Sequence, residues 1–250
     1  MSTGERLAGR IALVSGGARG IGAAHARALA GEGARVLIGD LLEAEGEALA
    51  AELGGERARF AALDVTDEAA WTAAVSAAEE WGEPVTILVN NAGVLDPDPI
   101  VELSAERFRR TIDVNLTGHF LGIRAVVSSM RRAGGGVIVN TSSMTSEIAV
   151  GHLAHYTASK HAIAGLTKTA ALELGEYGIR VNSLHPGMIR SAMTEGAPEE
   201  QMAAKYPLRR FGTPEEVAQT MLFIVCDATY ASGAAFAVDG GILAGIMMGE

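Results

Sequence analysis

Ile11-Ala12-Leu13-Val14-Ser15-Gly16-Gly17-Ala18-Arg19-Gly20-Ile21-Gly22 is the stretch that decides the fold. Its four leading apolar residues carry no polar alternation, so they read as a strand buried on both faces. A glycine-rich turn follows at once, and an Ala-rich segment then predicts a helix over 20–31. A buried strand passing through such a turn into a helix opens a β-α-β unit. Gly16, Gly20 and Gly22 give a G-x-x-x-G-x-G spacing, distinct from the commoner G-x-G-x-x-G. Glycines here let backbone N–H groups approach a pyrophosphate at the positive N-terminus of the helix. An ordinary tight turn would use the same glycines.

The same alternation continues outward. Apolar, β-branched runs predict strands at 11–14, 35–39, 59–63, 86–89, 136–140, 179–184 and 235–238. Helical patterns fall between them at 20–31, 42–53, 67–81, 105–132, 156–177 and 214–226. Thr213-Pro214-Glu215-Glu216 signs one helix start, with a hydroxyl cap, proline in the first turn and glutamate three residues after the cap. The reading is an α/β chain of Rossmann type: a doubly wound parallel sheet of about seven strands with helices on both faces. No linker or repeat interrupts it, so residues 1–250 read as a single domain for dinucleotide binding and catalysis.

Composition excludes several classes. The net charge of −10 argues against a nucleic-acid partner, which needs a basic stripe, and against an anionic lipid surface. No apolar run is long enough to span a bilayer, and the N-terminus lacks the shape of a signal peptide. One cysteine, Cys226, makes neither an internal disulfide nor a zinc cluster and reads as a core residue. These features predict a cytoplasmic protein. His152, His155 and His161 have no carboxylate or thiol partner at ligand spacing, so no metal is expected. His152 and His155 are candidates for the substrate pocket instead. Trp71 and Trp81 read as packing residues on one helix. Met188, Met193, Met202, Met247 and Met248 read equally as a soft apolar pocket or as loop and tail contacts.

Ligands of open α/β sheets bind outside the carboxyl ends of the strands. Asp40 ends the second strand, eighteen residues after Gly22, where a carboxylate accepts hydrogen bonds from an adenosine ribose and repels an extra phosphate. Arg19 works the other way, since a basic residue before Gly20 favours NADP; the short, fixed carboxylate weighs more. Asp64 and Val65 follow the third strand, with Asp64 in reach of an adenine amino group. Asn90-Asn91-Ala92-Gly93 follows the fourth, a turn that fixes neighbouring strand ends and opens space beside a cofactor. The fifth runs into Asn140-Thr141-Ser142-Ser143, and thirteen residues later comes Tyr156, with Lys160 one helical turn on. A tyrosine near pH 10 needs help to act as an acid or base near neutrality. An adjacent ammonium favours the phenolate, and Ser143 would orient the substrate oxygen.

Taken together, Ser-Gly-Gly-Ala-Arg-Gly-Ile-Gly, Asn-Asn-Ala-Gly, Asn-x-Ser-Ser, Tyr-Thr-Ala-Ser-Lys, Asn-Ser-Leu-His-Pro-Gly and Val-Asp-Gly-Gly resemble the short-chain dehydrogenase/reductase family, in order, from residue 7 to about 241. Within it, the glycine turn, Asp113-Val114-Asn115-Leu116-Thr117-Gly118 and Arg180-Val181-Asn182-Ser183-Leu184-His185-Pro186-Gly187-Met188 make the chain most similar to the bacterial 3α(20β)-hydroxysteroid dehydrogenases. The resemblance implies a tetrad. Asn115 would hold a kink and a water, Ser143 would polarise the carbonyl, and Tyr156 would pass the proton. Lys160 would bind the nicotinamide ribose and tune Tyr156. It also implies that Pro186, Gly187 and Ile189 frame the nicotinamide, that Ser191 lies near its carboxamide or a phosphate, and that Ile21 joins the glycine loop. A loop at about 188–212 would close over the substrate. Serine stands at Ser15 and Ser191 where the family usually has threonine; both keep the hydroxyl. The expected activity is an NAD(H)-dependent interconversion of a secondary alcohol and a ketone, with a hydroxysteroid or cyclic alcohol as substrate and a homotetramer as the assembly. The alternatives are an NADPH-dependent carbonyl or 3-oxoacyl-carrier reductase, and a catalytically silent cofactor sensor or scaffold, although such proteins usually lose the tyrosine or the lysine.

Overall fold

A computed structural model describes residues 5–245. Met247 and Met248 therefore lie outside the described residues. The chain runs β1 (Ile11–Ser15), α1 (Gly20–Gly31), β2 (Arg35–Asp40), α2 (Glu43–Leu53), β3 (Ala58–Ala62), α3 (Glu68–Glu79), β4 (Val85–Asn90), α4 (Ala105–Ile112), α5 (Gly118–Arg132), β5 (Gly136–Thr141), α6 (Ala154–Leu174), β6 (Ile179–Pro186), α7 (Glu199–Ala203), α8 (Pro214–Cys226) and β7 (Ala235–Val238).

The strands form one seven-stranded sheet in the order β3-β2-β1-β4-β5-β6-β7, and every neighbouring pair is parallel. Parallel neighbours need crossovers, and here each crossover carries a helix. The order reverses between β1 and β4, and a cleft is expected at the carboxyl ends of that pair. One apolar layer joins the sheet to α1, α2 and α8 through Leu29, Leu49, Val217 and Met221. The other joins it to α3, α5 and α6 through Trp71, Ile123, Met130 and Ala170. Burial on both faces holds for β1 and β5, whose residues are buried throughout, but not for the edges. In β3 only Ala58 is buried, and no residue of β7 is. An edge strand has a neighbour on one side only, so continuous apolarity overstates its burial.

Local chemistry sets the helix ends. Thr213 Oγ1 accepts from Glu216 N (3.3 Å) while the Glu216 carboxylate accepts from Thr213 N (2.9 Å), closing the predicted capping box of α8. By contrast, α1 has no side-chain cap and no acidic residue in its first turn, so its leading N–H groups stay open. The single helix expected at 105–132 is interrupted: a π-helical turn, Asp113–Thr117, separates α4 from α5. The interruption falls at Asn115, where the resemblance places a kink. The loop expected at 188–212 contains α7 and a short 3-10 turn, Ala192–Thr194. Its stems are paired by Arg190 N to Gly212 O (3.0 Å) and Gly212 N to Met188 O (2.9 Å).

Among the other packing expectations, Trp71 is fully buried. Trp81 lies just past α3, under the Arg59 guanidinium at 4.6 Å. Cys226 is half-buried at the rim of the α8 layer rather than inside it. No helix among the described residues is long and apolar enough to cross a membrane.

Candidate active site

A cleft of about 1020 Å³ opens at the carboxyl ends of the strands. Gly16, Arg19, Gly20, Ile21, Asp40, Asp64, Val65, Asn91, Ala92, Gly93, Ser143, Tyr156, Lys160, Pro186, Gly187, Ile189 and Ser191 all line it, so it gathers most of the predicted site. Gly22 and Asn115 stand behind its wall.

The floor under the glycine loop leaves no room for side chains. A Cβ on Gly22 would stand 1.9 Å from the Gly16 carbonyl oxygen, and one on Gly16 would stand 2.7 Å from Ala92 Cα. Gly16 also sits at φ +61°, a left-handed conformation that favours glycine. Ser15 Oγ accepts from Asn91 N (3.1 Å) and Ala92 N (3.3 Å), and Asn91 Nδ2 donates to Gly16 O (3.0 Å). The Asn-Asn-Ala-Gly turn is thereby bolted to the glycine loop. Beneath it, Asn90 Nδ2 donates to Asn140 Oδ1 (3.0 Å) and Asn140 Nδ2 to Thr167 Oγ1 (3.0 Å), tying β4, β5 and α6 together. A bare glycine loop opening onto an uncapped helix N-terminus fits the pyrophosphate of a dinucleotide.

Asp40 is held from three sides. Its Oδ2 accepts from Ala18 N (3.0 Å), and its Oδ1 from Leu41 N (2.8 Å) and Leu42 N (3.1 Å). Arg19 is exposed, and its side chain has no hydrogen bond or ion pair among the described residues. Asp64 Oδ1 is engaged by Thr66 N (2.9 Å) and Thr66 Oγ1 (2.7 Å), a local turn that still leaves the residue on the cleft wall.

At the other end, Ser143, Tyr156 and Lys160 converge. Ser143 is hydrogen-bonded to the Tyr156 hydroxyl, and Lys160 Nζ lies 5.5 Å from the Tyr156 ring centre and donates to Thr141 O (2.8 Å). Burial raises Tyr156 above its ordinary 10.0, opposed by the Ser143 hydrogen bond, and lowers Lys160 to about 7. The sequence reading expects the ammonium to pull the tyrosine down. In the structure desolvation is the largest influence on both groups, because both side chains leave water and each charged form is penalised. Asn115 is fully buried: its Oδ1 accepts from Val94 N (2.8 Å), and its Nδ2 donates to Val94 O (3.0 Å) and Ser159 Oγ (3.2 Å). The π turn rotates this side chain out of helical register and onto the strand-exit loop.

His152 and His155 do not line the cleft, so their expected place in the substrate pocket is not found. His155 is buried on α6 with neither ring nitrogen bonded, and His152 is exposed with φ +64°. No group of three or more metal-binding side chains gathers among the described residues. Of the candidate methionines among the described residues, Met193 lines the cleft, while Met188 and Met202 do not. Glu106, Arg109 and Arg110 of α4, a helix without a sequence motif, also line the cleft, as do Asp113, Val114 and Thr117 of the π turn on either side of Asn115.

Fold and cleft define a dinucleotide-dependent α/β enzyme. The chain belongs to the short-chain dehydrogenase/reductase family: residues 16–243 match the family described as Enoyl-(Acyl carrier protein) reductase. It is 49% identical to the 3-alpha-(or 20-beta)-hydroxysteroid dehydrogenase of Mycobacterium tuberculosis, covering 96% of this chain and 92% of that protein. Identity is 44% to the trans-4-hydroxycyclohexanecarboxylate dehydrogenase of Sinomonas cyclohexanicum, over 96% and 95%. It is 41% to the cyclopentanol dehydrogenase of Comamonas testosteroni, over 96% and 99%. A solved structure from Agrobacterium tumefaciens, assigned as a gluconate dehydrogenase, superposes with a TM-score of 0.91 at 37% identity, over 96% and 98%. The protein is an oxidoreductase acting on the CH–OH group of alcohols with a nicotinamide cofactor.

Proposed function

We propose that this enzyme prefers NAD and interconverts apolar, ring-shaped secondary alcohols, hydroxysteroids among them, with their ketones. The observation that carries the chemistry is the meeting of the Ser143 and Tyr156 hydroxyls beside Lys160 at one end of the cleft. Gly16, Gly20, Ile21, Gly22, Asn91, Ala92 and Gly93 would hold the pyrophosphate half. Asp40, Asp64 and Val65 would hold the adenosine. Pro186, Gly187, Ile189 and Ser191 would flank the nicotinamide, with Lys160 on its ribose. The nicotinamide, when bound, accepts or gives the hydride. Ser143 donates a hydrogen bond to the carbonyl or alcohol oxygen. Tyr156 moves the proton at that oxygen, giving it during ketone reduction and taking it during alcohol oxidation. The raised pKa of Tyr156 keeps it protonated at neutrality, so reduction meets its acid ready-made and oxidation quickens as pH rises. Asn115 braces the backbone at Val94.

NAD preference rests on Asp40, whose three amide contacts prevent it from swinging away from a 2′-phosphate. The apolar substrate class is supported by the relatives' names. In the loop, Arg190 is paired with Glu199 at 2.7 Å and Arg210 with Glu216 at 2.6 Å, while Lys205 and Arg209 form no ion pair among the described residues and are the basic side chains an acyl carrier would meet. A homotetramer is supported by exposed apolar residues on neighbouring helices, Phe108 on α4, Phe120 on α5 and Leu172 on α6, which offer a surface for self-association. The test is a panel of cyclopentanol, cyclohexanol, a 3α-hydroxysteroid and a 3-oxoacyl carrier substrate, read by absorbance of the reduced cofactor. Turnover of the ring alcohols or the steroid well above the carrier substrate supports the proposal; the reverse order overturns it.

A further inference from the structure

His185 belongs to the Asn-Ser-Leu-His-Pro-Gly segment, yet it lies outside the cleft and takes no part in the chemistry above. It is 1% exposed, with both ring nitrogens engaged: Nδ1 is 2.7 Å from Ser146 Oγ, and Nε2 is 2.7 Å from Ser183 Oγ. The direction of these bonds follows from counting hydrogens. Ser146 has a single hydroxyl hydrogen, and it goes to Ser143 O (2.8 Å). Ser146 Oγ must then accept, so His185 Nδ1–H donates to it. Nε2 is left as the acceptor, and Ser183 supplies the hydroxyl hydrogen; its alternative partner, Ala234 O, is further away at 3.4 Å. Burial holds His185 below its ordinary 6.5, which favours this neutral form.

The chain of bonds ends on the residue that presents the candidate catalytic hydroxyl. Ser143 caps the 3-10 turn Met144–Ser146, its Oγ accepting from Thr145 N (3.1 Å) and its carbonyl from Ser146 N (3.0 Å) as well as Ser146 Oγ. Residues of one β-strand, β6, thus grip a turn that hangs from another, β5. We infer that His185 is a positioning residue for Ser143, acting through Ser146 to fix the turn so that the Ser143 hydroxyl meets Tyr156. The inference rests on Ser143 being catalytic.

Two amide variants separate positioning from packing. His185→Asn sets an amide N–H near the place of Nδ1 and retains the donation to Ser146. His185→Gln sets its amide near Nε2 and loses it. Rates are measured with cyclohexanol and NAD, alongside Ser143→Ala and Ser146→Ala. Cofactor affinity is measured by fluorescence titration with NADH, and exchange of the Thr145 amide by hydrogen exchange. His185→Gln and Ser146→Ala are expected to lower kcat roughly tenfold, to leave NADH affinity within about twofold and to speed Thr145 exchange, while His185→Asn stays near wild type. Equal losses in both amide variants, a loss confined to NADH affinity, or no loss in His185→Gln while Ser143→Ala is inactive would each overturn the inference. An active Ser143→Ala would instead overturn the role of Ser143 itself.

Discussion

The two ends of the cleft are built differently. The dinucleotide end is a backbone construction: glycines at φ +61° and +55°, a Cβ-free contact between Gly22 and Gly16, and amides that fasten Asp40. The far end is bordered by a loop whose stems pair through the backbone and whose surface carries two ion pairs, Arg190 on Glu199 and Arg210 on Glu216. Exposed pairs contribute little each, so that loop is free to vary, whereas a backbone contact at van der Waals distance is not. On the proposed assignment, a cofactor common to many enzymes would be met by the rigid end and a variable substrate by the adjustable one.

The largest expected effect removes the chemistry while sparing both ends. Tyr156→Phe should lose roughly 10²–10⁴ in turnover with NADH binding intact. Near-full activity in this variant would break the assignment of the proton-moving group.

Next comes a direct contrast between the ends. Gly22→Ala drives a methyl into the Gly16 carbonyl at 1.9 Å and should weaken NADH binding by about a hundredfold or more. Gly196→Ala, in the loop, has nothing within 4 Å of its Cβ and pays only for φ +77°. It should cost about 1 kcal/mol in stability and leave cofactor affinity unchanged. Equal effects on NADH titration would erase the distinction.

Much of the rigid end was legible because backbone constraints select residue types. Only glycine suits Gly16 and Gly22, and Asp40 closes a strand whose apolar run is plain. Tyr156 and Lys160 were legible from helical spacing. What stayed hidden depends on geometry that spacing does not encode. The π turn at Asp113–Thr117 inserts into an otherwise helical pattern, so periodicity ran through a kink that only the family resemblance placed at Asn115, and α7 is too short, at five residues, to show a period. His155 adjoins Tyr156 in sequence but is turned into the interior, so proximity along the chain misplaced it.

A third effect concerns stability in acid. His25 on α1 and His119 on α5 are buried, and desolvation lowers both to about 3 from an ordinary 6.5. The folded state therefore holds them neutral while the unfolded chain takes up protons. The stability they leave intact above pH 6.5 is lost progressively as pH falls toward 3. At about 1.4 kcal/mol per unit, each costs about 2 kcal/mol by about pH 5. Denaturant titrations across this range should show His25→Leu losing less stability than the wild type; an unchanged slope would mean that His25 is not held neutral by the fold.

The smallest expected effect bears most directly on the account, since it asks whether the rigid end selects its cofactor through one fixed carboxylate. With cyclohexanol as substrate, kcat/KM is measured for NAD and for NADP, in the wild type and in Asp40→Ala. The account predicts at least about a tenfold preference for NAD, equivalent to roughly 1.4 kcal/mol, shrinking in Asp40→Ala mainly through the NAD Michaelis constant. Equal or better use of NADP by the wild type would contradict it and assign control of the site to Arg19.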